Sequence, residues 1–336
     1  MTVLRNASRP SPAKTRNSAP ASARRAIPSQ LWHRRSLSAL LTLCSACAYA
    51  TEGGGNSYPM GVETNYNGVM LSDGAHWFAY YAHYSATHSR NAAGVDNPQL
   101  ARFRIESDVI APRLSYVWPG LTLFGARVET RVVQAIASVD LDAAVARRGM
   151  PSLERGGYRL GLADMAFTPI ILGWNWSTYH HTIGIDTHLK TGSYDVRERG
   201  NTGRNYAQAA VFYAFTWFPA PGFDINAKFR YAINGKNKAT NYQSGDEATI
   251  EFSGGYRINP GLAIGLNGYV YRQTSDDRQN GVAVNNGNRG RVNALGPYIS
   301  YNLTPRLALV AKVQSEFSAR NRPQGTRVWL QARIPF

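Results

Sequence analysis

Cysteine is absent from residues 51–336, because Cys44 and Cys47 both lie in the first fifty residues. This absence excludes a disulfide scaffold, a cysteine-ligated zinc site and a cysteine nucleophile from most of the chain. No stretch after residue 50 has 18 consecutive apolar residues, so the sequence predicts no helical membrane span. Charged residues make up only 17% of the chain, and 31 glycines and 17 prolines favour many strands and turns over a helix bundle.

The first fifty residues lack acidic side chains and hold eight basic ones, half of the formal net charge of +16. A basic pair, Arg34-Arg35, precedes a short apolar run at 36–47, and Ala48-Tyr49-Ala50 follows it. This order predicts a secretory signal cleaved after Ala50, with a twin-arginine signal or lipidation of Cys47 as weaker alternatives. We therefore assign residues 1–50 to an N-terminal extension plus signal peptide.

Apolar and polar residues alternate with period two over most of the remaining chain. Between residues 223 and 233, for example, Phe223, Ile225 and Phe229 alternate with Asp224 and Lys228. About twelve such runs occur, each longer than the roughly 9–11 residues that a tilted strand needs to cross a membrane. They lie near 74–88, 100–117, 121–137, 158–172, 177–191, 205–218, 222–234, 245–258, 261–273, 290–303, 306–318 and 325–336.

The connections between these runs alternate between tight turns and long polar loops. Turns are predicted at Pro119-Gly120, 173–176, 219–222, 259–261 and Thr304-Pro305, and loops near 89–99, 138–157, 192–204, 235–244, 274–289 and 319–324. Short periplasmic turns with longer extracellular loops are typical of outer-membrane barrels. We predict an all-β fold, a transmembrane antiparallel β-barrel of about 12 strands over 74–336, with residues 51–73 as a periplasmic leader or barrel plug.

The alternative fold is a secreted soluble β protein, since alternation alone also fits a sandwich. Long strands and asymmetric connections favour the membrane, as does Phe336 on an apolar strand face. Phe336 resembles the terminal aromatic that the barrel-assembly machinery reads, and we predict it to be the assembly signal. The predicted location is the cell outer membrane of a Gram-negative bacterium, with outer-membrane lipid and lipopolysaccharide as partners.

Two segments carry a family resemblance, Glu52-Gly53-Gly54-Gly55 and Tyr58-Pro59-Met60-Gly61-Val62-Glu63. With Gly173-Trp174, Thr191-Gly192-Ser193-Tyr194 and the Arg333-Ile334-Pro335-Phe336 ending, they resemble the outer-membrane transporter family named for the meta pathway of phenol degradation. Lys190 departs from the proline expected before Thr191. The resemblance implies a transporter linked to aromatic-compound degradation.

The strand faces opposite the apolar ones are expected to line the interior, where charges need water or partners. The candidate lumen lining is Arg102, Arg104, Glu106, Arg127, Glu129, Arg131, Asp186, Asp224, Lys228, Arg230, Glu251, Lys312, Glu316, Arg327, Trp329 and Arg333. The same strand faces also carry Lys190, Arg257, Asp108, Asp164 and Glu247. With these included, eleven cations nearly balance nine carboxylates. The charged residues therefore either brace the wall as ion pairs or form a polar constriction that screens solutes.

The function that this pattern favours is a channel for passive uptake of small hydrophobic or aromatic solutes. One alternative is an outer-membrane lipid hydrolase with a rim active site, for which His83, His88 and Ser89 are the only candidates. Another is a structural or adhesive barrel. We expect no enzyme activity, no catalytic residue, no cofactor, no metal and no nucleic acid partner, because no nucleophile motif, phosphate loop or zinc-type histidine pair is present.

Overall fold

The computed structural model describes residues 55–304 and 307–335, which form a closed antiparallel β-barrel. Twelve long strands build it, and β3 and β4 are each interrupted by two residues. They are β1 Gly74–Arg90, β2 Leu100–Leu123, β3 Ala126–Val133 with Ile136–Val145, β4 Gly157–Leu162 with Met165–Asn175, β5 Tyr179–Leu189, β6 Gln208–Trp217, β7 Phe223–Asn234, β8 Glu247–Arg257, β9 Leu262–Gln273, β10 Arg291–Thr304, β11 Leu307–Arg320 and β12 Arg322–Pro335.

The barrel closes where β1 pairs with β12, in a register that runs from His76 opposite Pro335 to Arg90 opposite Arg322. Within the barrel, all other pairings of the described residues join strands consecutive in sequence, and all are antiparallel. Closure pairs both edges of the sheet, as a membrane barrel requires. The predicted fold class is confirmed. Among the described residues, no helix has the length and apolarity needed to cross a membrane.

Burial along the strands is the reverse of that in a water-soluble protein. On β7 the apolar Ile225 and Ile233 are 41% and 58% exposed, whereas Asp224 and Lys228 are 3% and 1% exposed. Lysine and aspartate are almost never fully buried unless they are paired. The outer face therefore suits hydrocarbon, and the charged groups require partners inside the barrel.

The first predicted turn, at Pro119-Gly120, is wrong, because β2 continues to Leu123. The chain reverses at Phe124 and Gly125, whose φ angles are 53° and 74°. Positive φ at both central positions is the two-residue hairpin geometry that matches strand twist. Pro119 instead lies in a bulge, where the register jumps between Val117 and Thr122, and a proline without an N–H is tolerated there.

The last predicted loop, near 319–324, is also wrong. β11 ends at Arg320 and β12 begins at Arg322, so Asn321 alone connects them, with a φ of 52°. Asparagine tolerates this left-handed conformation, which makes a tight reversal possible without glycine. The alternation of short turns and long loops therefore fails at this connection.

The long loops bind one another over one end of the barrel, which we call the loop end; the opposite end is the turn end. Residues 236–237, 242–243, 278–279 and 282–283 form a small four-stranded sheet. Asn205 donates to Asn237 at 2.8 Å, and Tyr242 donates to Asp277 at 2.5 Å. Burial and the Glu247 carboxylate raise the pKa of the Tyr206 phenol in the same region, so it stays protonated. These contacts join the loops that follow β5, β7 and β9 to one another.

Residues 55–73, which we call the inner segment, contact inward-facing side chains along the whole barrel. At the loop end, Asn56 donates to Glu247 of β8 at 3.2 Å. At the turn end, Arg127 of β3 lies 3.3 Å from the Asp73 carboxylate, just before β1 begins. The segment therefore runs from one end of the barrel to the other on its inner side.

Candidate functional site

A cluster of charges surrounds the Glu63 carboxylate of the inner segment. Arg113 of β2 and Arg131 of β3 lie 2.9 Å and 2.5 Å from its Oε1 atom. Lys228 of β7 contacts Oε2. All four side chains are largely buried, at 15% exposure or less. Three strands of the wall thus direct their cations at one carboxylate.

Further wall carboxylates surround the same cations. Glu129 lies 3.1 Å from Arg131 and 3.7 Å from Arg113. Asp186 of β5 lies 3.4 Å from Lys228 and 3.6 Å from Arg230, and it accepts a 2.7 Å hydrogen bond from Thr168. Buried charges are tolerated when they are paired and hydrogen-bonded in this way.

The backbone of the inner segment is bound on both sides of Glu63. Glu251 of β8 accepts from the Tyr58 hydroxyl at 2.8 Å and from the Glu63 amide at 3.1 Å. Lys312 of β11 donates to the Val62 carbonyl at 2.8 Å and to the Thr64 hydroxyl at 3.0 Å. These contacts hold residues 58–64 of the inner segment against the inner side of the wall.

Small polar side chains hold the part of the segment nearer the turn end. Asn226 accepts from the Tyr66 amide at 3.0 Å, and Thr216 accepts from the Gly68 amide at 3.2 Å. A Cβ on Gly68 would lie 2.3 Å from the Thr216 backbone nitrogen, so only glycine fits there. The segment is therefore bonded through its backbone to side chains of the wall.

Most of the predicted lining residues lie on the inner side of the barrel. These are Arg127, Glu129, Arg131, Asp186, Asp224, Lys228, Arg230, Glu251, Lys312, Glu316, Arg327, Trp329 and Arg333. Beyond the cluster, Glu316 accepts from Tyr269 at 2.6 Å, and Arg327 donates to the Met60 carbonyl at 2.6 Å. The predicted assembly signal, Phe336, lies outside the described residues.

Arg102, Arg104 and Glu106 are on the outer face of β2, which corrects their prediction as lining residues. On this strand the inward side chains are odd-numbered, as buried Arg113 and Ser115 are. Arg102 is 52% exposed and bonded to Asp142 and Glu154. β2 is long enough to continue past the apolar band. Its outward side chains can be charged there, because their surroundings are no longer hydrocarbon.

Sequence reasoning missed several buried charged groups, among them Glu63, Arg113 and Arg322. Arg322 was assigned to a long loop, but it is 6% exposed, stacks 4.6 Å over Tyr271 and bonds to Asn56. Arg113 lies on the same face of β2 as Ser115 and Val117. Once it is known that the odd-numbered residues of β2 point inward, this position predicts that Arg113 lies inside.

A cavity of about 370 Å³ lies between the inner segment and the wall. Glu63, Arg113, Arg131 and Lys228 line one side of it. Its other walls include the rings of Phe78, Tyr80, Phe212 and Phe218, the cations Arg257 and Arg333, and the turn residues Pro260 and Gly261. The presence of turn residues places the cavity toward the turn end.

The candidate hydrolase residues do not form a catalytic pair. His83 and His88 bond to Asp108 and Asp96 at 2.9 Å and 3.0 Å. The buried Ser89 hydroxyl has no hydrogen-bond partner among the described residues. Within the same part of the chain, no group of three or more histidine, cysteine, aspartate or glutamate side chains is placed to hold a metal ion.

Comparison with protein families gives a match over residues 86–332, more than half of the chain, to the family described as "Putative MetA-pathway of phenol degradation". A search of curated protein sequences finds no match.

Among solved structures, the chain is similar to the COG4313 outer membrane channel from Pseudomonas putida F1, with a TM-score of 0.68 and 16% identity. That match covers 82% of this chain and all of that one. The CymD monoaromatic hydrocarbon channel and the Ralstonia pickettii toluene transporter TbuX each match at a TM-score of 0.43 and 10% identity. Both matches cover 79% of this chain. They cover 89% of the CymD chain and 90% of the TbuX chain.

Proposed function

We propose, from the premise that this chain belongs to that phenol-degradation family, that it is an outer-membrane channel for passive uptake of small hydrophobic or aromatic solutes. The family resemblance read from the sequence is confirmed. The observation that carries the proposal is the way in which the interior is filled. Wall cations such as Arg113 and Lys228 bond to Glu63 of the inner segment and not only to wall carboxylates. Movement of that segment would leave a polar passage lined with aromatic rings.

The inner segment is the plug of this channel in our proposal, rather than a loose leader. Support comes from its backbone hydrogen bonds to wall side chains on well-separated strands, Asn226 of β7 and Lys312 of β11. No strand pairing joins residues 55–73 to the barrel. The plug is therefore held by side chains, and breaking a few of these contacts would loosen it without opening the barrel.

The proposed location is the outer membrane, reached after signal removal near Ala50. The exposed apolar face of the strands supports membrane insertion. The outward Arg102 and Arg104 suit lipopolysaccharide phosphates. Recognition of Phe336 by the barrel-assembly machinery is tested by deleting that residue, which should reduce the folded, heat-modifiable band in the membrane fraction.

Flux measurements test the channel itself. Purified protein in liposomes with a lipopolysaccharide-containing leaflet is expected to speed uptake of a neutral phenolic compound over empty liposomes. A charged sugar of similar size is the comparison solute and should gain little. Equal uptake with and without protein, for every small solute tried, would reject the channel and favour a structural or adhesive barrel.

A further inference from the structure

The cations around Glu63 belong to the wall, whereas the carboxylate belongs to the inner segment. Without Glu63, four wall cations share two wall carboxylates, Glu129 and Asp186. Those cations are Arg113, Arg131, Lys228 and Arg230. The nearby wall groups Glu251 and Lys312 offset one another in charge. Withdrawal of Glu63 therefore leaves a site with excess positive charge.

The adjacent cavity adds another cation and aromatic surfaces. Arg333 lines it and has no ion pair among the described residues. Phe78 and Phe212 also line it, and the Arg113 guanidinium and the Lys228 ammonium each lie 4.2 Å from the centre of one of these rings. Its volume of about 370 Å³ is within the range of about 300–1,000 Å³ that is usual for small-molecule sites.

We propose that this cavity binds a small aromatic carboxylate, whose carboxylate group competes with Glu63 for Arg113, Arg131 and Lys228. Guanidinium groups bind carboxylates in a fixed bidentate geometry, and rings pack against rings in offset or edge arrangements. Glu63 thus acts as an internal stand-in for the solute. The inference rests on the proposed channel function and names its solute class.

Titration calorimetry on the full mature chain in detergent tests the site, with benzoate as the probe. Benzamide has the same ring without the charge, and acetate has the charge without the ring. Since charge-assisted hydrogen bonds are about twice as strong as neutral ones, benzoate should bind about tenfold or more tightly than benzamide. Equal binding of benzoate and benzamide would overturn the proposal.

Two variants make the test specific. Glu63→Gln removes the competing carboxylate and should strengthen benzoate binding by about fivefold or more. Arg333→Gln should weaken it by a similar factor, whereas Arg320→Gln, a matched change on an exposed side chain at the end of β11, should leave it unchanged. An unchanged benzoate affinity in Glu63→Gln would contradict the competition.

The binding and flux results separate this inference from the channel proposal. Faster uptake of neutral phenolics without benzoate binding would reject the carboxylate site and keep the channel. Benzoate binding with the expected Glu63→Gln response, but no flux of any solute, would keep the site and reject the channel.

Discussion

Glu63 and Lys228 form a buried ion pair between two parts of the chain that are 165 residues apart in sequence. The carboxylate lies on the inner segment and the ammonium on β7, a strand of the wall. Lys228 is 1% exposed, so its charge has almost no contact with solvent. Because loss of one partner leaves the other charge buried and unpaired, this contact couples the position of the segment to the charge state of the wall.

Glu63→Gln is expected to loosen the inner segment while the barrel stays folded. Removal of one partner of a buried pair costs about 3–5 kcal/mol, and here three cations lose their shared carboxylate. Single-channel recordings in planar bilayers should show larger or more frequent openings than in the wild type. Glu198→Gln, in an exposed loop, is the control and should leave the recordings unchanged. Identical conductance in all three proteins would mean that Glu63 does not retain the segment.

Gly68→Ala is expected to displace the segment by a steric route. The added methyl group would lie 2.3 Å from the Thr216 backbone nitrogen, which belongs to a paired strand and cannot move away easily. Overpacking of this kind costs about 1–3 kcal/mol. Thermal unfolding and single-channel conductance should both change. Gly254→Ala is the matched control, since its Cβ would meet open space, and equal behaviour of the two variants would contradict the close contact.

The alternation in the sequence predicted the strands and their faces better than it predicted the contacts inside the barrel. Alternation on β7 correctly placed Lys228 inside and Ile225 outside, because the hydrocarbon and the lumen impose opposite preferences on the two faces. It failed for Arg102 and Arg104, since beyond the apolar band both faces tolerate charge. It also gave no sign that Glu63 lies among wall cations, because period two carries no information on a segment outside the sheet.

Asn226 shows the same limit at a single position. Alternation predicts that it lies on the inner face, with Asp224 and Lys228. In the structure it is 1% exposed and bonds to Asp224, Thr216, Ser253 and the Tyr66 amide. An inner-face residue such as Asn226 is therefore not exposed to a wide lumen. Whether a larger side chain fits at such a position depends on its contacts with the inner segment.

Ile225→Arg is expected to impair folding into a bilayer. The side chain is 41% exposed on the outer face, where an arginine near the midplane costs about 2–4 kcal/mol. Urea titration in liposomes should show that loss relative to the wild type. Ile225→Leu keeps the apolar surface and should stay within about 1.5 kcal/mol. Equal unfolding free energies for the arginine and leucine variants would mean that this face does not contact lipid.

Arg102 and Arg131 provide a comparison of the two faces, since the same change, Arg→Gln, removes one charge from each. Arg102 forms exposed ion pairs with Asp142 and Glu154, which contribute little to stability because water and salt screen the charges. Arg131 is buried between Glu63 and Glu129, where loss of one partner costs about 3–5 kcal/mol. Arg131→Gln should therefore lower the unfolding free energy and alter single-channel conductance, whereas Arg102→Gln should change neither measurably. A conductance change in Arg102→Gln as large as that in Arg131→Gln would mean that Arg102 lines the lumen. It would then contradict the assignment of even-numbered residues of β2 to the outer face.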